Sequence, residues 1–169
     1  MSKIASLPQF KQGKSVEAYL DILFRSLGFQ IRPTTRDEER ALYLGDRLFT
    51  QGSRQFFVEY KSGIQTQRTG NIFIETISVD DPHHYKPGWA FTCKADYIIY
   101  ATIFNGCLLV FRPDDLRNVM DTLKAKFKEV PTSNHQNYGY NTHGLLIPLE
   151  WAKKNLAYQV IWLEKRRTR

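Results

Sequence analysis

With 169 residues, 42% of them hydrophobic and 24% charged, the chain is long enough for one compact domain and too apolar to stay disordered. Lys and Arg outnumber Asp and Glu by 24 to 17, and the formal charge of +7 points to a polyanionic partner. No apolar stretch approaches the roughly 20 residues of a membrane span, and the N-terminus lacks a signal-peptide core. Two cysteines outside any CxxC pair, Cys93 and Cys107, suit neither a disulfide framework nor a four-cysteine zinc site. The expectation is a single cytoplasmic domain over residues 1–169, away from membranes, with reduced and buried thiols.

Along the chain, Ser15 is placed to cap a helix running to Leu27, with Val16, Leu20, Leu23 and Leu27 at three- and four-residue spacing and Gly28 as its stop. Residues 29–32 read as a short strand ended by Pro33, and residues 34–44 as a polar connection with helical potential. Strands are expected over 46–50 and 55–61, joined by a glycine-containing turn, and again over 71–79 after a polar loop. Residues 80–95 mix Pro, Gly and His and read as a loop with one helical turn. Two apolar runs flank Asn105-Gly106, a strong hairpin signal. Residues 113–127 form a helix with acidic residues in its first turn and lysines in its last. Residues 128–144, rich in Asn, Tyr and Gly, read as loop or lid, before a short helix over 149–155 and a last apolar segment, YQVIWL. The order suggests an α+β or mixed α/β fold.

The chemistry concentrates in FFVEYK. A strand's period of two puts Phe57, Glu59 and Lys61 on one face and Phe56, Val58 and Tyr60 on the other. Alone, this is the polar face of a half-buried strand. Asp46, however, lies at the start of the preceding strand, and a hairpin would fold it back towards Glu59. Two converging carboxylates make a hard-oxygen site suited to Mg²⁺, and a neighbouring lysine can hold or help deprotonate an attacking water. Those are the parts that phosphodiester hydrolysis needs.

The pattern Gly45-Asp46 … Glu59-Tyr60-Lys61 resembles the PD-(D/E)xK, or restriction-endonuclease-like, nuclease superfamily, with glycine in place of the usual proline. The runs TGNIFIETIS and GWAFTCKADYIIY are similar to its phage and bacterial members. The resemblance implies a mixed β-sheet flanked by helices and a metal-dependent endodeoxyribonuclease, of the restriction, homing or junction-resolving kind, that leaves 5′-phosphate and 3′-hydroxyl ends. It implies Mg²⁺, with Mn²⁺ as substitute, held by Asp46, Glu59 and a first-helix glutamate, for which Glu17 fits, while Lys61 positions the water. It further implies a bacterial or phage-encoded protein acting as a homodimer or higher oligomer. Glu75 is either a support or accessory ligand for this site or a paired strand glutamate. Asp96 is read as a strand cap or as orienting Lys94, and Asn71 as part of a tight turn with Thr69 and Gly70.

For DNA, the cations Arg36, Arg40, Arg47, Arg54, Arg68 and Lys86 are placed to meet phosphates, with Arg166 and Arg167 in a basic tail that could equally be solvated. Tyr138 and Tyr140 could stack on bases or pack within their loop. His83, His84, His135 and His143 have no zinc spacing, and no phosphate-binding, dinucleotide or serine-hydrolase motif occurs. The alternative is a DNA-binding module that keeps the fold without the chemistry.

Overall fold

The computed structural model describes residues 13–133 and 141–163. In chain order it runs α1 (Gly13–Ser26), β1 (Gln30–Pro33), α2 (Arg36–Arg40), β2 (Arg47–Gln51), β3 (Arg54–Ser62), α3 (Thr66–Thr69), β4 (Asn71–Asp81), β5 (His84–Pro87) and α4 (Trp89–Thr92). It continues through β6 (Tyr97–Thr102), β7 (Cys107–Phe111), α5 (Pro113–Lys126), β8 (Glu129–Ser133), β9 (Asn141–Pro148), α6 (Leu149–Asn155) and β10 (Gln159–Trp162). The result is a mixed α+β fold in which helices flank a mixed sheet. No described helix is long and apolar enough to cross a membrane.

Two sheets divide the strands. One has the order β1-β2-β3-β6-β7-β10, with β3 and β6 parallel and the other neighbours antiparallel. The second, antiparallel, has the order β5-β4-β9-β8. The parallel β3–β6 pair requires a crossover, and the chain supplies it as α3, β4, β5 and α4. The crossover thereby carries β4 of the second sheet beside the end of β3.

The hydrophobic core has two parts, one on each face of the larger sheet. On one, Val16, Leu20 and Phe24 of α1 pack against Phe49, Val58, Tyr60 and Ile99. On the other, Ile72 and Ile74 of β4 and Leu145 and Ile147 of β9 meet Ile98, Tyr100 and Leu109, with Leu116, Met120 and Leu123 of α5. Strand β7 and all of β6 after the half-buried Tyr97 are buried, as strands covered on both faces must be.

Several sequence expectations change. The first helix starts at Gly13, so Ser15 lies inside it rather than capping it, and it ends at Ser26, leaving Leu27 exposed. A capping box does occur at α2, where the Thr35 side chain accepts from the Glu38 N–H and Glu38 accepts from the Thr35 N–H. The His-containing stretch holds the edge strand β5. Residues 128–144 are not simply a loop, because their two ends form β8 and the start of β9. Their polar composition hid this: the β4 backbone needs a hydrogen-bonded partner, and β9 supplies it from Asn71↔Pro148 to Asp80↔Asn141.

Candidate active site

The β2–β3 hairpin builds the site. Its turn is Gly52-Ser53, between the paired residues Gln51 and Arg54, and its register sets Arg47 opposite Val58. Directly paired residues share a face. Arg47 therefore stands with Val58 and Tyr60 towards α1, and Asp46, one residue earlier, turns to the side of Glu59 and Lys61. The Asp46 N–H donates to the Val58 carbonyl at 2.9 Å, and its Oδ2 accepts from the Tyr60 N–H at 2.7 Å. Gly45 makes this approach possible. Its φ is +92°, and a Cβ there would lie 2.8 Å from the Val58 carbonyl and 2.9 Å from the Glu59 nitrogen.

Asp46, Glu59, Lys61 and Glu75 line one cleft of about 500 Å³, together with Arg40, Tyr43, Lys86 and Trp89. Glu59 Oε1 and Lys61 Nζ are 2.5 Å apart, and the ammonium lies 5.7 Å from the centre of the Trp89 ring. Glu75 comes from β4 in the other sheet, and its Oε1 accepts from the Trp89 N–H at 3.3 Å. Gly88 lets α4 come this close, since a Cβ there would collide with the Glu75 carbonyl.

Burial pushes the Glu59 carboxyl above its ordinary pKa; Lys61 opposes the shift and the Asp46 charge adds to it. Burial likewise raises Glu75, against Lys61 and the Trp89 N–H. For Lys61, burial works against the ammonium, but Glu59, Asp46 and Glu75 together outweigh it and raise its pKa. Cys93, also in the cleft wall, has its thiol pushed up to about 12 by burial and the Glu59 charge, and is thereby unreactive.

The donors available to a metal are carboxylate oxygens, the class that Mg²⁺ and Mn²⁺ take. A divalent cation would also supply the positive charge that the desolvated carboxylates lack. Among the described residues no three or more His, Cys, Asp or Glu stand close enough to enclose an ion. The donor set thus fits a cation held by one or two carboxylates that keeps most of its waters.

Glu17 departs from expectation. Its Oε2 pairs with Arg47 Nη2 at 3.0 Å, on the α1 side of the sheet, and it does not line the cleft. Parity along α1 could not reveal which face of the sheet the helix would cover. Arg47 is equally committed: Nε pairs with Asp21 at 3.1 Å, Nη1 donates to the Asp46 carbonyl at 3.0 Å, and the guanidinium lies 5.4 Å from the Tyr60 ring centre. It is no free phosphate contact.

Of the other expected DNA contacts, Arg40 and Lys86 line the cleft. Arg36 is exposed on α2 and Arg68 on α3. Arg54 sits at the turn, about 16 Å along the strand from Glu59. Arg166, Arg167, Tyr138, Tyr140 and His135 lie outside the described residues. Asp96 ties strands together, accepting from the Phe57 N–H at 2.6 Å. The Asn71 side chain bonds locally, donating to the Thr69 carbonyl at 3.1 Å. His83, just before β5, and His84, its first residue, are exposed, and His143 meets Asp80 at 2.9 Å.

Tyr43 and Trp89 were not legible as site residues. Nothing in the local pattern marks Tyr43, and Trp89 carried only the weak signal of a large ring after a Pro-Gly break. No family model, curated protein or solved structure matches this chain.

Proposed function

We propose that the chain is a metal-dependent deoxyribonuclease, an endonuclease with a restriction-endonuclease-like core that hydrolyses DNA phosphodiester bonds. One observation carries this reading: Asp46, Glu59 and Lys61, distant in sequence or alternating along a strand, converge in a single cleft and are joined there by Glu75 from the other sheet. The order of a helix, an antiparallel strand meander and a parallel strand across a crossover supports it further.

Asp46 and Glu59 would hold a Mg²⁺ or Mn²⁺ ion, which supplies charge neutralisation to a phosphoryl group gaining negative charge. Lys61, kept as an ammonium by the surrounding carboxylates, donates hydrogen bonds and so orients the attacking water rather than deprotonating it. Glu75, with its raised carboxyl, is the group suited to take the water's proton. The water oxygen bonds to phosphorus as the bond to the 3′-oxygen breaks, and the departing 3′-oxygen takes a proton from a solvent water, leaving 5′-phosphate and 3′-hydroxyl ends. Arg40 and Lys86 flank the cleft as phosphate contacts. Cutting both strands would call for a second copy of the chain, as a homodimer.

The test is a labelled panel of supercoiled plasmid, linear duplex, single strand and four-way junction, incubated with Mg²⁺, Mn²⁺ or chelator. Cleavage that needs the metal and disappears in Asp46→Ala is expected; cleavage that survives either change removes the mechanism.

A second reading, a DNA-binding module without chemistry, draws on the closed Glu59–Lys61 pair and the lack of a three-acid group among the described residues. Calorimetric titration with Mn²⁺ separates the two. Binding that is lost in Asp46→Ala favours the nuclease, and no binding favours the module.

A further inference from the structure

Tyr43 carries two costs that the fold does not return. Its φ is +57°, a left-handed conformation that is unfavourable for a bulky side chain, and it is the one non-glycine residue so placed among those described. The residue is also 39% exposed on the cleft wall. Among the described residues its ring and hydroxyl make no hydrogen bond, ring contact or ion pair. The backbone around it is held all the same: the Tyr43 carbonyl accepts from the Lys94 N–H at 2.8 Å, the Leu44 N–H donates to the Glu38 carbonyl at 2.9 Å, and Gly45 is pressed against β3. A firmly held backbone thus presents an unpartnered aromatic face two residues before Gly45-Asp46. Arg40, on the same wall, is likewise without an ion-pair partner among the described residues.

We infer that Tyr43 is a stacking platform for a nucleobase adjoining the phosphate in the cleft, and that the substrate is DNA with an unstacked nucleotide at that point: a single strand, a flap or a branch. This rests on the nuclease reading for the identity of the ligand. A planar π-face beside a free guanidinium and a polar cleft of about 500 Å³ matches a nucleotide, whose base offers a ring and whose backbone offers the anion. Inside a continuous duplex both faces of each base are covered by its neighbours. Only a nucleotide out of the stack can present a face to Tyr43.

The experiment is fluorescence anisotropy in chelator, so that binding is read without chemistry, using labelled single strand, four-way junction and blunt duplex. Wild type is expected to prefer the single strand or the junction. Tyr43→Ala should weaken that binding by about tenfold and leave duplex binding unchanged, while Tyr43→Phe retains it. Tyr43→Gly should show the same loss of affinity with a melting temperature at or above wild type, because glycine removes the left-handed cost. Unchanged affinity in Tyr43→Ala and Tyr43→Gly overturns the inference. So does a loss that is equal for duplex and accompanied by a lower melting temperature in Tyr43→Gly. Metal-independent cleavage, or cleavage by Asp46→Ala, would instead sink the catalytic reading and leave this binding series to stand or fall alone.

Discussion

The two faces of β3 carry charge in opposite ways. Towards α1, the Arg47 guanidinium is surrounded by Asp21, Glu17 and the Asp46 carbonyl, while the Tyr60 hydroxyl donates to Asp21 at 3.2 Å. Each of these groups finds a partner, and the network ties the helix to the sheet. Towards the cleft, Asp46, Glu59 and Glu75 line one space with Lys61, whose ammonium pairs with Glu59, and two of the three carboxyls are pushed above their ordinary range. A fold seeking only stability would not leave burial and mutual repulsion in this state. One face is settled by its own charges, and the other holds buried carboxylates whose ionised form a bound cation would stabilise.

Substitutions on each face should separate these roles, and the largest effect belongs to the cleft. Lys61→Gln is expected to reduce metal-dependent cleavage by about a thousandfold, with a circular dichroism spectrum like wild type; near-full activity would show that the ammonium has no part in catalysis. Next is Arg47→Ala, which strands Asp21 and Glu17 and should cost about 2 kcal/mol of unfolding free energy in a denaturant titration. Should it instead abolish cleavage with stability intact, the division between the two faces fails.

A smaller effect tests the incomplete charge directly. The raised Glu75 carboxyl contributes stability that is fully present below the unfolded-state pKa of about 4.3 and lost as pH rises through the folded value. Glu75→Gln should therefore melt slightly above wild type at pH 8, with the difference closing as pH falls below 4. A lower melting temperature at pH 8 would mean that ionised Glu75 is stabilising. The smallest effect lies away from both faces: Thr35→Ala removes the capping-box acceptor of α2 and should cost about 1 kcal/mol, with cleavage little changed. In that box the Arg32 guanidinium and the Thr35 N–H hold the Glu38 carboxyl down to about 2.

What could be read from the residues was local and periodic. The alternation of Phe57, Glu59 and Lys61 against Phe56, Val58 and Tyr60 is a property of strand geometry, so the hairpin and the convergence of Asp46 on β3 were legible before any tertiary contact. The same holds for the helix over residues 149–155 and for the helix opening at Pro113, where position-specific turn and dipole chemistry acts within a few residues.

Tertiary structure decided the rest, because it depends on which face covers which. Helix α1 lies on the Val58 and Tyr60 side, which withdrew Glu17 from the cleft and turned Arg47 into its partner. The pairing of β4 with β9 drew strands out of a polar segment and set Glu75 beside Lys61 from a different sheet. The left-handed Tyr43 and the buried Trp89 owe their places to close backbone approaches at Gly45 and Gly88. Periodicity acts over a turn or a strand and determines which side chains share a face; the approach of two elements distant in sequence is set by packing, and no short window of residues encodes it.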